Sequence, residues 1–254
     1  MTQDVRERMI AIQEFTRDRT AAIVGFDEFQ TRNDIVGSGV FVRVNKRIFV
    51  ATVAHIIDDG KHLPTAFMML LSHHRPLNSV FKILGERRRG GKGDADEEWD
   101  LAVAEIPPVA LERTSRIAIE LPDIDSDWAP QSDSAVFVHG LSESRVYARD
   151  DGGNDYGEHG YGTLPIVDAE PVDATHRPHI DLFLQYPKDG TTYGDGTALV
   201  PPLSPVGLSG GGVWSMTSRR LVGLVVAAHP HQDWVKAVRI SHWVALLKEY
   251  LTSA

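Results

Sequence analysis

Three stretches of the chain hold residue types that could work together on an acyl group. Gly37-Ser38-Gly39-Val40-Phe41-Val42 is followed by Ile48-Phe49-Val50-Ala51-Thr52-Val53-Ala54-His55, so an imidazole stands at the end of an apolar run. Trp99-Asp100-Leu101-Ala102-Val103 puts a carboxylate near the start of another. Gly207-Leu208-Ser209-Gly210-Gly211-Gly212-Val213-Trp214 sets a hydroxyl in a glycine-rich turn, ahead of the apolar run Leu221–Val226. A serine hydroxyl is a weak nucleophile at neutral pH. It needs a base within hydrogen-bond reach, and histidine has the pKa to take the proton and return it. Each stretch alone also has a plain structural reading: a surface histidine, an aspartate capping a turn, a glycine hairpin. Their order and company give them weight as a set.

Two other chemistries compete for the same residues. Gly207-Leu208-Ser209-Gly210-Gly211 satisfies the Gly-x-Ser-x-Gly pattern of the α/β-hydrolase nucleophile elbow. Only 45 residues follow Ser209, too few for the strands and helices that fold still needs, and Asp233 and His242 would have to be forced into the remaining roles. The densest histidine groups are His73-His74 and His229-Pro230-His231. Neither lies in a His-Glu-x-x-His pattern and the chain has no cysteine, so a metal site is not expected and no cofactor is implied.

The elements that must position these groups are mostly strands. Short runs rich in Val, Ile and Phe, bounded by Gly, Asn, Asp or Pro, predict strands over Ala21–Phe26, Val36–Val44, Ile48–Val53, Thr65–Leu71, Ser79–Gly85, Leu101–Ile106, Ala135–His139, Ile180–Gln185, Gly212–Ser215, Leu221–Val226 and Val235–Ile240. Asn45-Lys46 predicts a tight hairpin. Val5, Met9, Ile12 and Phe15 share a helical face at the start, and Trp243, Leu246, Leu247 and Tyr250 share one at the end, with Ser241 as its expected N-cap. His139 is expected as a hydrogen-bonded core or rim residue. Ser142–Thr163 and Pro187–Pro205 read as long loops bordering a cleft, and Glu86–Gly93, with its Arg87-Arg88-Arg89 run, as a solvated hairpin or loop. Many strands with few helices point to antiparallel barrels or sandwiches.

Composition narrows the classes. The chain has 254 residues, 42% apolar, enough for a core. Its net charge of −9 disfavours nucleic acid as the main partner. No apolar run approaches the ~18 residues of a membrane helix. Without cysteine there are no disulfides, and Met1–Arg19 has no apolar secretory core, so the expected compartment is the cytoplasm.

With its motifs in this order, the chain resembles the trypsin-like, chymotrypsin-fold serine proteases, and among them the bacterial intracellular type. Ala51-Thr52-Val53-Ala54-His55 resembles the segment carrying the general base, Asp100-Leu101-Ala102-Val103 that of the orienting carboxylate, and Gly207-Leu208-Ser209-Gly210-Gly211 that around the nucleophile. Gly223-Leu224-Val225 resembles the strand lining the cleft. The chain departs from the family at Leu208, where many secreted members have Asp, and at Gly212, where they have Pro.

The resemblance implies an all-β fold of two six-stranded antiparallel β-barrels with an N-terminal and a C-terminal helix. It implies a lead-in over 1–35, a first barrel over 36–107 with His55 and Asp100, a connector over 108–130, and a second barrel with Ser209 plus the helix over 131–254. It implies Ser209 as nucleophile, His55 as general base and acid, Asp100 as its orienter, and the N–H groups of Gly207 and Ser209 as oxyanion hole. Leu203 would lie at the base of the primary pocket and Val226, Ala227 and Ala228 on its wall, favouring apolar or small side chains. The partner would be a peptide or protein substrate, with a regulatory protein left open. The alternative is a protease-fold domain that is catalytically silent and binds peptide or protein.

Overall fold

The computed structural model describes residues 3–26, 33–57, 67–68, 80–81, 84–90, 99–112, 116–148, 154–167, 177, 179–186, 191–192, 199–200 and 205–253. Leu203, His73, His74 and most of Pro187–Pro205 lie outside the described residues.

The first half runs α1 (Gln3–Arg17), β1 (Thr20–Phe26), β2 (Asn33–Val44), β3 (Arg47–Thr52), α2 (Ala54–Ile57), β4 (Phe67–Met68), β5 (Val80–Phe81), β6 (Leu84–Gly90), β7 (Trp99–Ile106), α3 (Val109–Glu112) and β8 (Ile119–Glu120). The second runs β9 (Val136–Ala148), β10 (Asn154–Thr163), β11 (Asp181–Gln185), β12 (Thr191–Thr192), β13 (Leu199–Val200), β14 (Gly212–Ser215), β15 (Leu221–His229), β16 (Trp234–Arg239) and α4 (Ile240–Ser253).

Each half is built on one antiparallel sheet. The first is ordered β5-β4-β1-β2-β3-β7-β6, with β8 added parallel to β2. Among the described residues it therefore holds eight strands where six are expected, with β5 and β6 both drawn from around the apolar run Ser79–Gly85 and β8 from the connector. The second sheet is ordered β10-β9-β14-β15-β16-β11. The chain beyond β10 then pairs back onto β11: Ile166 N–H donates to Phe183 C=O (2.8 Å), Gln185 N–H to Leu164 C=O (3.0 Å), and Pro165 bridges Leu184. Those bonds join the two ends of the six-stranded path, the chain just beyond β10 meeting β11.

Local chemistry explains the turn that sets up the site. Asn45 and Lys46 have φ of 50° and 72°, both left-handed, which matches a two-residue hairpin to the right-handed twist of β2 and β3. Val40 thereby pairs with Ala51 and Phe41 with Val50. Phe41, Phe49, Val50 and Ala51 are buried, so β3 arrives at its end with its direction set by the core.

Both helices tie the halves together. α1 buries Met9 and Ile12 as its spacing predicts, and Phe15 meets Trp214 edge to face at 5.8 Å, so this first helix packs against the second half. α4 buries Ile240, Trp243, Leu246, Leu247 and Tyr250, and the Trp243 indole donates to Ala102 C=O on β7 at 2.9 Å. The Tyr250 hydroxyl reaches Glu105 Oε2 at 3.0 Å, where Arg47 also binds at 2.6 and 2.8 Å. That arginine is the main cause holding the Glu105 carboxyl below its ordinary range.

Two expectations are corrected. Ser142–Thr163 is not a loop: β9 and β10 pair from Val136↔Thr163 to Ala148↔Asn154, with an irregularity between Tyr156 and Glu158. Its glycines and acids conceal a ladder whose bonds come from the backbone, and the buried Glu158 is matched by Arg116 at 2.7 Å. Ser241 is not the N-cap, because α4 already starts at Ile240. Arg87, Arg88 and Arg89 lie on β6, which pairs antiparallel with the next strand, β7, as in the hairpin that is one of the two readings of Glu86–Gly93.

Candidate active site

His55 follows β3 in the single turn α2. Val53, Ala54 and Ile56 around it are buried, so the backbone is gripped while the imidazole faces outward, 47% exposed. Asp100 stands at the start of β7, the strand paired with β3 through Thr52↔Ala102 and Ala51↔Val103. Its carboxylate takes the His55 backbone N–H on Oδ1 at 2.9 Å and the His55 Nδ1–H on Oδ2 at 2.5 Å. Burial pushes the Asp100 carboxyl up, but these bonds, the nearby imidazole and the Ala54 N–H outweigh it and hold it below its ordinary value. With Nδ1 donating, Nε2 of the neutral ring carries the lone pair, the tautomer a general base requires.

Ser209 sits in the turn before β14. Leu208 beside it is 1% exposed and lies in one apolar cluster with Val136, Val138, Tyr161 and Val213, so the turn is anchored by an apolar side chain. Burying a leucine is worth about 1.5–3 kcal/mol. The turn's carbonyls are tied inward: Pro205 C=O accepts Leu208 N–H (3.0 Å), Gly207 C=O accepts the Ser38 hydroxyl (2.7 Å), Leu208 C=O accepts Gly211 N–H (2.7 Å) and Ser209 C=O accepts Ser38 N–H (2.7 Å). In a trans peptide the N–H points opposite to the preceding C=O. The Ser209 N–H is therefore directed away from the body of the turn. Among the described residues, the N–H groups of Gly207 and Ser209 have no acceptor within the protein.

Gly207 has φ +96° and Gly210 φ +78°, a region that side chains with a Cβ rarely enter. A Cβ on Gly210 would lie 2.0 Å from Ser38 C=O and 2.3 Å from Thr52 Oγ1.

Gly37 marks where the two halves meet. A Cβ there would fall 2.2 Å from the Ile56 side chain, next to His55, and 2.8 Å from the Ser209 carbonyl. The base and hydroxyl segments thus converge on one glycine. The Ser209 hydroxyl itself donates to Val226 C=O at 3.2 Å, so in this arrangement it is turned to β15. Val226, Ala227 and Ala228 are partly exposed, beyond Leu224, the residue paired with Gly212 of β14. Val226, expected on the pocket wall, touches the hydroxyl through its C=O. His229 lies against the Trp234 ring at 4.0 Å, and among the described residues no cluster could hold a metal ion.

Two participants escaped the sequence reading. Ser38 and Thr52 hold the serine turn from the first half, with the Thr52 hydroxyl donating to Ser38 C=O at 2.7 Å. Their one signal was a hydroxyl residue inside an apolar strand. Among the described residues, no helix is long and apolar enough to cross a membrane.

No protein-family model matches the chain, and no curated protein matches it in sequence. Solved structures do. An inactivated protease paralogue of the scabies mite superposes with TM-score 0.62 at 14% identity, over 94% of this chain and 96% of that one. A serine endoprotease from Yersinia pestis gives TM-score 0.54 at 15% identity, over 95% of this chain and 66% of that one, which is the longer protein. The inactive form of Rv3671c from M. tuberculosis, a serine-to-alanine mutant, gives 0.50 at 12% identity, over 95% and 90%. At these identities the likeness is one of fold: the chain has the chymotrypsin-like two-barrel architecture with a helix at each end.

Proposed function

We propose that the chain is a serine endopeptidase. The observation that carries this reading is the Asp100 carboxylate, which takes both the side-chain and the backbone N–H of an exposed His55 and so presets its tautomer. A binding module has no need of that arrangement together with a serine turn whose two N–H groups have no acceptor among the described residues.

In the reaction, Ser209 Oγ–H rotates from Val226 C=O to His55 Nε2. The oxygen attacks the scissile carbonyl as its proton passes to Nε2, and Asp100 balances the imidazolium. The carbonyl oxygen becomes an oxyanion between the Gly207 and Ser209 N–H groups. Nε2 then gives its proton to the leaving amine, and the C–N bond breaks to leave the acyl-enzyme. Water, deprotonated by the same nitrogen, hydrolyses the ester and restores Ser209. Val226, Ala227 and Ala228 form the wall of the side-chain pocket and, with Leu203, favour small or apolar residues at the cleaved position. The absence of cysteine fits a cytoplasmic, bacterial intracellular type.

The test is a fluorophosphonate probe, which reacts only with an activated serine. Labelling of the intact chain and its loss in Ser209→Ala is the expected result, with peptide hydrolysis falling on the order of 10⁶-fold. The second reading, a silent peptide-binding domain, is favoured by the Ser209 hydroxyl resting on Val226 rather than on His55. An unlabelled, folded chain would decide for it.

A further inference from the structure

Ser38 is a fully buried polar residue with every hydrogen-bonding group used across the boundary between segments. Its hydroxyl accepts the Leu141 N–H from β9 at 2.7 Å and donates to Gly207 C=O at 2.7 Å. Its N–H donates to Ser209 C=O at 2.7 Å, and its C=O takes the Thr52 hydroxyl at 2.7 Å. The amide of Leu141 can only donate and the carbonyl of Gly207 can only accept, so the hydroxyl proton has a single direction.

The consequence falls on Gly207. The peptide after Gly207 is held at its oxygen by Ser38 and at its nitrogen by Pro205 C=O, 3.0 Å from Leu208 N–H. With that plane and the Gly207 Cα held in place, the left-handed backbone of Gly207, with φ of +96°, sets where its own N–H points. From these contacts we propose that Ser38 is a positioning residue for the oxyanion hole: its hydroxyl, reaching from the first sheet to a turn 169 residues away, keeps the Gly207 N–H aimed into the cleft. It touches no reacting atom. The proposal rests on the serine-peptidase reading and adds a residue outside the triad.

Ser38→Ala leaves Leu141 N–H and Gly207 C=O buried without each other's bridge, and Gly207 is freed to turn. Kinetics per titrated active site should show kcat down on the order of 10²-fold, as for the loss of one oxyanion donor. KM and the acid limb of the pH profile should stay put, because His55 and Asp100 do not bond to Ser38. Affinity for a peptide aldehyde, which forms a tetrahedral adduct, should fall in proportion. Gly140→Ala offers an independent approach: its Cβ would stand 2.8 Å from Ser38 Oγ and displace the hydroxyl without deleting it. It should reproduce the kcat loss in the wild-type background and add little to Ser38→Ala, a strongly non-additive cycle.

Full kcat in folded Ser38→Ala, a loss carried by KM, or an additive cycle would overturn the proposal. If Ser38→Ala does not fold, Gly140→Ala decides alone, and full kcat there overturns it. If the wild-type chain takes no fluorophosphonate label, the peptidase reading fails by itself. The amide ¹⁵N resonance of Gly207 then decides the positioning claim: a shift in Ser38→Ala, or in Gly140→Ala should the former not fold, supports it, and an unmoved signal sinks it.

Discussion

His139 should make this protein lose stability as the pH falls from neutrality. The residue lies in β9, fully buried, with Nδ1 2.9 Å from Thr20 Oγ1. Thr20 already donates its proton to Thr16 C=O at 3.0 Å, so Nδ1 must be the donor and Nε2 holds the lone pair of the neutral ring. Burial first, then the positive charge of Arg116 and the neighbouring His159 and Arg17, push its pKa from 6.5 down to about 3; a bond to the Thr16 backbone opposes them. The Glu158 carboxylate, 3.9 Å from Nε2, pulls the other way, but Arg116 at 2.7 Å and Arg17 at 3.8 Å already balance its charge. The folded value is depressed, so stability is complete above the unfolded pKa of 6.5 and drains away as the pH drops toward about 3. In that window the unfolded chain binds a proton that the folded chain refuses. Each pH unit then costs about 1.4 kcal/mol, so the step from about pH 6.5 to about pH 5 removes about 2 kcal/mol. The assay is urea unfolding of the wild type and of His139→Asn, whose amide can still donate to Thr20 but does not titrate. Groups shared by both proteins cancel in the difference, which should shrink by about 2 kcal/mol across the window. A difference that stays flat with pH would show that His139 is protonated in the fold or free to leave it, and would refute the reasoning.

Asp100→Asn should stay folded and lose turnover by about 10⁴, as the same replacement does in a trypsin-type triad. One amide oxygen cannot accept from both His55 donors, so the ring is pushed to the wrong tautomer; retained turnover would contradict that geometry. Gly210→Ala should cost about 2–4 kcal/mol in chemical denaturation, from left-handed strain and from a Cβ driven into Ser38 C=O and the Thr52 hydroxyl. An unchanged midpoint would mean that the turn adopts another backbone path.

Much of the architecture was legible because it is periodic. The apolar face of α1, the short apolar runs that became β2, β3 and β7, and the Asn45-Lys46 turn are local signals, and each is found where its residues predict. The β9–β10 ladder was missed for a physical reason. Hydrogen bonds between backbones do not depend on side chains, and the pairing runs through glycines and a buried glutamate that reads as exposed until Arg116 is brought to it. The start of α4 was misjudged by two residues, because Ile240 continues the apolar run of β16 and yet begins the helix directly after Arg239.

The sequence by itself determined which groups are present and in what order: an imidazole after β3, a carboxylate opening β7, and a hydroxyl between glycines that alone could accept φ of +96° and +78°. Tertiary structure decided how those groups are held. It put Ser38 beneath Gly207, buried Leu208 beside the hydroxyl, turned the Ser209 hydroxyl to Val226, and set His139 near Arg116 and Arg17. Such contacts join residues far apart along the chain. They leave no period in the sequence, and their energies depend on burial that exists only once both barrels have closed around them.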